Sequence, residues 1–281
     1  MPGRRLELRA DCSRCVGLCC VALAFAASAD FAFDKPAGDA CPNLGADSRC
    51  GIHDRLRESG MPGCVAYDCF GAGQHVTEGT FKGADWRQSP GTALRMFDAF
   101  AMMRQLHELA WYLAEALAMT AARAMHPELQ TALEEIEALA REPADALPAV
   151  DMAVRREAIG ALLGRSSELV RAGVVPGTKR RGARDRSGAD LAGADLRGRD
   201  LRGVNLRASV LIGADLRRAD LRLADVAAAD LRGARLAGAD LRGALFLSQS
   251  QLEAANGDLA TSLPPTLARP AHWCASTPSR P

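Results

Sequence analysis

The chain has 281 residues, a formal net charge of +1, 25% charged residues and only 5% aromatics. That length exceeds what one hydrophobic core usually serves and predicts more than one domain. The near-zero charge excludes a strong overall field toward nucleic acid or an anionic membrane, and the scarcity of aromatics argues against a large aromatic-lined substrate cavity.

Composition divides the chain into a Cys-rich segment over 1–90, an α-helical segment over 91–172, a basic linker over 173–188, a five-residue repeat over 189–248, and a capping helix with tail over 249–281. No run approaches the ~18 apolar residues of a membrane span. Eight of the nine cysteines lie between Cys12 and Cys69, with Cys274 far outside.

The first segment poses a choice. "DCSRCVGLCCVALAFAASA", Asp11 to Ala29, reads either as the apolar heart of a secretion signal or as four cysteines poised for a metal. Glu7, Asp11 and Arg14 interrupt a signal, and cleavage after Ala29 would discard half of the clustered cysteines. A disulfide scaffold needs the oxidising compartment that only the signal would provide. The favoured reading is a cytoplasmic protein whose cysteines hold metal, with secreted disulfides and unbound reduced thiols as alternatives. The candidate ligands are Cys12, Cys15, Cys19, Cys20, Cys41, Cys50, Cys64 and Cys69, with His53 as a possible substitute. Soft sulfur donors select zinc, iron or copper(I) over magnesium or calcium. Adjacent Cys19 and Cys20 point differently and serve separate roles, which fits two four-ligand zinc sites or an iron-sulfur cluster with spare thiols. Tyr67 and Asp68 can support the ligands, and His75 reads as a polar loop residue.

The pieces "CSRCVGLCC", "ACPNL", "RCGIHDRLR" and "GCVAYDC", in that order, resemble the bacterial family of zinc- or iron-chelating cysteine-cluster domains. The resemblance implies a metal-stabilised module and metal binding.

In the middle segment Leu94, Phe97, Ala101, Leu106, Leu109, Leu113 and Leu117 recur at helical spacing, as do Leu129, Leu133, Ile136 and Ala140, then Val154, Ala158, Leu162 and Leu169. Three helices follow. "HELAW" approaches the zinc-protease helix but has Trp111 where the second His must stand, and Met102, Met103 and Trp111 read as core filling. The linker "GTKRRGARDRSG" reads as a solvated tether, because no aromatic accompanies its charge for stacking on bases.

From Ala189 to Ser248 twelve pentads run without a slip, centred on Leu191, Leu196, Leu201, Leu206, Leu211, Leu216, Leu221, Val226, Leu231, Leu236, Leu241 and Phe246. A five-residue step scatters these side chains round a helix and alternates them across a flat strand. Only a coil with five-residue sides gathers them into one core. The pattern resembles the pentapeptide-repeat family, which implies a right-handed quadrilateral β-helix with four pentads per coil, here about three coils and about 14 Å tall at the usual strand spacing. Arg199, Val204 and Ser209 replace the small residue two before the centre and are expected near the open first coil. Ser248 and Gln251 are spaced as a capping box, with Gly257 ending the helix that plugs the coil.

These segments predict a non-enzymatic protein, with no phosphate loop and no catalytic triad in its sequence. It joins a cysteine-cluster metal module, structural or sensory, to a repeat surface that docks a protein partner. One alternative is an iron-sulfur redox or cofactor-transfer protein. Another is a gyrase-interacting DNA mimic, which the ten Arg against eight Asp between Ala189 and Ser248 disfavour.

Overall fold

The computed structural model describes residues 6–173 and 185–273. The chain forms two compact units, Met1–Leu163 and Gly164–Pro281. The first contains α1 (Leu18–Ala22), α2 (Pro62–Val65), α3 (Ala72–Gln74), α4 (Pro90–Ala118) and α5 (His126–Leu139), followed by α6 (Met152–Ala172); α7 (Gln249–Ala254) belongs to the second.

The longest helix, α4, starts where Ser89 accepts a hydrogen bond from the Thr92 N–H and Pro90 occupies the first turn. Its buried face runs through Met96, Phe100, Met103, His107, Ala110 and Leu113, the three-to-four spacing of an amphipathic helix. α1, α3 and α5 pack on it. Leu18 and Val21 of α1 are fully buried, so the cysteine segment shares a core with the helices. "DCSRCVGLCC" is bonded into this unit: Trp86 Nε1 donates to the Val16 carbonyl at 2.9 Å, and Gln74 accepts from the Asp11 N–H at 2.9 Å.

The three predicted helices form as α4, α5 and α6, but their inward faces differ in places. Leu94 is 67% exposed, as are Val154 and Leu169 in large part, while Met152, Ile159 and Leu163 carry the buried side of α6. That helix has two apolar stripes offset by one residue, and the spacing alone fits either. Among the described residues no helix is long and apolar enough to cross a membrane.

In the second unit, residues twenty apart pair in parallel. Asp185 pairs with Asn205, Asn205 with Asp225 and Asp225 with Leu245; on another side Asp200 pairs with Asp220 and Asp220 with Asp240. Twenty residues are four pentads, so each turn has four sides. Leu206, Leu211, Leu216, Leu221, Leu231 and Leu236 fill the interior beside Ala214, Ala219, Ala224 and Ala234.

The pentad is explained by the fate of its five backbone N–H groups, none of which can be left unbonded inside a coil. Around Leu216, the N–H of Asp215 bonds the Ala194 carbonyl in the turn before, and those of Leu216 and Arg218 bond the Arg235 and Ala237 carbonyls in the turn after. Ala219 bonds back to the Leu216 carbonyl. The fifth, on Arg217, has no carbonyl and is taken by Asp215 Oδ1 at 3.3 Å. The same side-chain closure recurs at Asp190, Asp195, Asp200, Asp220, Asp225, Asp230 and Asp240. This is why the residue before the central position is Asp or Asn in nine of the twelve pentads, Val210, Arg235 and Leu245 being the exceptions: a short acceptor reaches two residues forward.

Among the described residues the coil already includes Asp185, one pentad before the sequence pattern, with the exposed Arg186 at a centre position. Lys179, Arg180, Arg181 and Arg184 of the linker lie outside the described residues. Arg199 sits exposed in this first coil as expected, while Val204 is buried and Ser209 buries its hydroxyl by donating to the Leu206 carbonyl at 2.7 Å.

At the far end Ser248 and Gln251 form the expected capping box on α7. Gln251 Nε2 also donates to the Val226 and Ala229 carbonyls at 2.9 and 2.8 Å, so the cap bonds the coil it covers. Two expectations are corrected here. Phe246 is fully buried but out of register at φ 60°, with the Arg207 guanidinium 5.9 Å from its ring, and Leu247 joins the coil core in its place. Gly257 does not end α7, whose last turn closes at Ala255. A Cβ on Gly257 would stand 2.4 Å from Trp273 Cε3, so glycine makes room for the ring that seals the cap.

Candidate functional site

The cysteines are placed by short, locally capped turns. Asp11 accepts from the Ser13 N–H at 2.8 Å and starts the turn bearing Cys12. Gly17 then takes φ 75° to launch α1 with Cys19 and Cys20, and a Cβ there would meet Leu44 Cδ1 at 2.8 Å. Cys41 bonds back to the Cys20 carbonyl at 2.9 Å, Cys50 pairs with Leu44, and α2 carries Cys64. At Gly73, a Cβ would stand 2.8 Å from Cys15 Sγ and 4.0 Å from Cys69 Sγ. Glycine therefore leaves space where two thiols approach.

All eight of these cysteines are free thiols, and Cys19 and Cys20 lie 3.9 Å apart, sulfur to sulfur. Burial raises the Cys12 thiol, with Cys69 and Cys15 adding as neighbouring charges. Burial also pushes Cys64 up to about 11, with Cys20, Cys41 and Cys50 as its charged neighbours. Cys20 is lowered, chiefly because the Cys19 thiol donates to it, and Lys35 contributes in the same direction. The sulfur neighbours that the geometry shows are Cys19 with Cys20, and Cys15 with Cys69 at Gly73. The donor chemistry and the space at Gly73 fit a thiophilic metal. Among the described residues, however, no three Cys, His, Asp or Glu side chains stand arranged to hold an ion. His53 is exposed on the turn after Cys50. Cys274 lies outside the described residues.

Three supporting groups surround the thiols. Lys35 is buried, with its ammonium donating to the Val21, Pro36 and Asp39 carbonyls at 3.1, 3.0 and 2.9 Å, which satisfies all three of its protons. Tyr67 lies under the Arg104 guanidinium, 5.4 Å from its ring, and its buried Oη has no hydrogen-bond partner. Burial raises its pKa, and the Arg104 guanidinium acts in the opposite direction. Asp68 accepts from the Phe70 N–H at 2.7 Å.

His75 is not a loop residue. It opens a π-helical turn, His75–Thr80, and its Nδ1 lies 2.8 Å from Nε2 of the fully buried His107, whose Nδ1 lies 2.7 Å from the Phe70 carbonyl. The helix that failed as a protease motif uses its histidine to anchor the cysteine segment. Neither Lys35 nor this pair had a sequence signal, since their partners are backbone carbonyls or lie 32 residues away.

The repeat presents charge in columns. Arg202, Arg222 and Arg242 each pair with the Asp two residues before, at 2.8, 2.6 and 2.5 Å, and Arg202 and Arg222 reach Asp220 and Asp240 in the next turn at 3.6 Å. Acid and base alternate up the face and neutralise one another.

Comparison with known proteins agrees with this architecture. The model of the family "Pentapeptide repeats" matches in overlapping stretches over residues 189–226, 211–246 and 219–256. The "Uncharacterized protein YybG" of Bacillus subtilis (strain 168) is 56% identical over 271 residues, 95% of each chain. Among solved structures, the pentapeptide-repeat protein Rfr23 of the cyanobacterium Cyanothece 51142 is 32% identical with a TM-score of 0.26, and the match covers 28% of this chain and 53% of that one. The pentapeptide-repeat protein alr5209 of Nostoc Pcc 7120 is 38% identical with a TM-score of 0.23, over 30% of this chain and 76% of that one. The chain is a pentapeptide-repeat protein and belongs, over nearly its full length, to the same family as YybG.

Proposed function

We propose that this chain is a non-enzymatic cytoplasmic protein in which thiol-bound zinc or iron organises the N-terminal unit while the repeat offers a docking surface to a protein partner. Cys12, Cys15, Cys19, Cys20, Cys41, Cys50, Cys64 and Cys69 would supply its ligands. Bound metal would supply a cross-link that a small, loop-rich segment lacks, and its loss would report metal or oxidant stress. The observation that supports the metal is the space at Gly73, where two of eight unpaired thiols converge. The likeness to cysteine-cluster chelating domains points the same way. On the repeat, a duplex-DNA mimic would need uncompensated acid, whereas here Asp and Arg are paired along the coil. A protein partner able to read alternating charge fits that face better.

The test is elemental analysis of full-length protein made in a reducing cytosol without added metal, together with alkylation of its thiols before and after chelation. Zinc or iron in stoichiometric amount, with thiols that become reactive only after chelation, is expected. Iron accompanied by acid-labile sulfide would select the redox or cofactor-transfer role. Metal-free protein with freely reactive thiols would end the metal reading.

A further inference from the structure

Cys19 and Cys20 are neighbours in the chain and also in space, with their sulfurs 3.9 Å apart. Both are reduced and half-buried, so a small reagent reaches them. Their backbone is held from several sides. Leu18 and Val21 are fully buried, the Cys20 N–H donates to the Gly17 carbonyl at 2.9 Å, and the Cys20 carbonyl accepts from the Cys41 N–H at 2.9 Å. The Val21 carbonyl accepts from the buried Lys35 ammonium at 3.1 Å. The pair is a dithiol already set in place, which a ligand does not have to order.

The spacing decides what the pair binds. Adjacent Cα atoms stand ~3.8 Å apart across a trans peptide, closer than the ~4.4 Å at which ordinary disulfide geometry begins. A direct S–S bond of ~2.05 Å would nearly halve the sulfur separation and distort the turn. A single soft atom between the sulfurs, with bonds of ~2.3 Å to each as zinc has, bridges them with little movement. The atom must be satisfied by two thiolates, because among the described residues no third donor is arranged with them to hold an ion. Trivalent arsenic bearing one organic group meets that condition, being soft enough to prefer sulfur to oxygen and having two exchangeable positions.

We propose that Cys19 and Cys20 form a binding site for trivalent organic arsenicals, R–As(OH)2. Each Sγ replaces one hydroxyl on arsenic, and each thiol proton leaves with that hydroxyl as water. Two As–S bonds form as two As–O bonds break, arsenic stays trivalent and nothing is oxidised. Because the second bond closes within the protein, the pair should hold the arsenical about 10²- to 10⁴-fold more tightly than one thiol does. The site needs reduced thiols and does not rest on the metal reading above.

The experiment treats full-length protein, purified under reducing conditions, with phenylarsine oxide as the probe, and measures zinc and iron in the same sample. Intact mass is recorded after challenge with excess monothiol. The remaining thiols are then alkylated, the arsenical is released with a 1,2-dithiol, and the newly freed cysteines are labelled and located by fragmentation. A phenylarsenic group retained against the monothiol is expected, with Cys19 and Cys20 as the protected pair. Cys19→Ser and Cys20→Ser should each surrender it at least about a hundredfold faster, and Cys12→Ser should keep it. The wild-type map does not depend on how the variants fold. Loss of the arsenical to the monothiol, or protection of Cys15 and Cys69 instead, overturns the site, and zinc or iron in that sample would leave the metal reading standing. Protection of Cys19 and Cys20 in a metal-free sample upholds the site and ends the metal reading.

Discussion

His107 accepts a hydrogen bond from His75. The Phe70 carbonyl can only accept, so His107 Nδ1 carries the proton that bonds it at 2.7 Å, and Nε2 is left as the acceptor for His75 Nδ1 at 2.8 Å. Both rings are neutral in this arrangement, and burial lowers both pKa values, that of His107 to about 4. Above the ordinary histidine pKa of about 6.5 neither state binds a proton and the stabilisation is complete. As pH falls below 6.5 the unfolded chain takes up a proton that the native His107 refuses, and stability is lost until about pH 4. The full loss from His107 is roughly 3 kcal/mol. Denaturant midpoints measured between pH 7 and pH 5 should fall in the wild type and fall less in His107→Gln. Parallel slopes would contradict the assignment.

Asp225 tests the hydrogen-bond account of the pentad. Its side chain is fully buried, with Oδ1 accepting from the Ala227 N–H at 3.0 Å and Oδ2 facing Arg207 at 3.3 Å. Asp225→Ala leaves a buried N–H unbonded and should cost about 1 to 3 kcal/mol, more if the Arg207 charge is also stranded. Asp225→Asn keeps the acceptor and should recover most of that. The exposed Asp195→Ala should hardly move the melting temperature, because water reaches the same N–H. Equal shifts at both positions would mean that Asp does not serve the backbone.

Leu216 and its neighbour Arg217 separate the inside of the coil from the outside. Leu216 is fully buried in the middle coil, whereas Arg217 lies on the surface, paired with Asp215 at 2.6 Å. Leu216→Lys places an unpaired ammonium among leucines and should unfold the repeat. Arg217→Lys keeps the charge on the surface and should be nearly silent. Similar melting curves for the two variants would be incompatible with the four-sided coil.

Chelation should act on one unit only. Removing the metal releases the thiols of the first unit, and because Leu18 and Val21 share a core with α4, the helices should lose stability along with the cysteine segment. The coil is closed by its own backbone bonds and should keep its melting transition. Calorimetry with and without chelator should show one transition moving and the other fixed. A fixed pair of transitions would remove metal from the account of stability.

What could be read in the sequence follows from the range of the interactions. Leu216 and its fellows were legible because a strict five-residue period leaves one geometry open. The register failed at Phe246 because "ALFLS" offers four consecutive apolar residues, Ala244 to Leu247, and only the departure toward α7 decides that Leu247 takes the place in the coil core while Phe246 is buried out of register. The faces of α6 were ambiguous for a similar reason, with Val154 and Ile159 belonging to different stripes of equal regularity. In the cysteine segment the residue types announced thiol chemistry, but their grouping depends on how distant turns fold together. Lys35 and His107 carry no motif because carbonyl oxygens, which every residue possesses, are their partners.

The pairing of residues twenty apart gives this coil two different length rules. Its backbone repeats after five residues, since most pentads close their own N–H with their own Asp or Asn. Its surface repeats after twenty, since Asp200 stands beneath Asp220 and Asp240. A duplication of one pentad would therefore fold without a fault in the ladder and yet turn every later side chain by a quarter of the circumference, scrambling the Arg and Asp columns. Only the gain or loss of a whole turn preserves what a partner would read. Evolutionary drift in length is thus cheap for the fold and disruptive for recognition, so the two can be separated in the laboratory by inserting five residues or twenty.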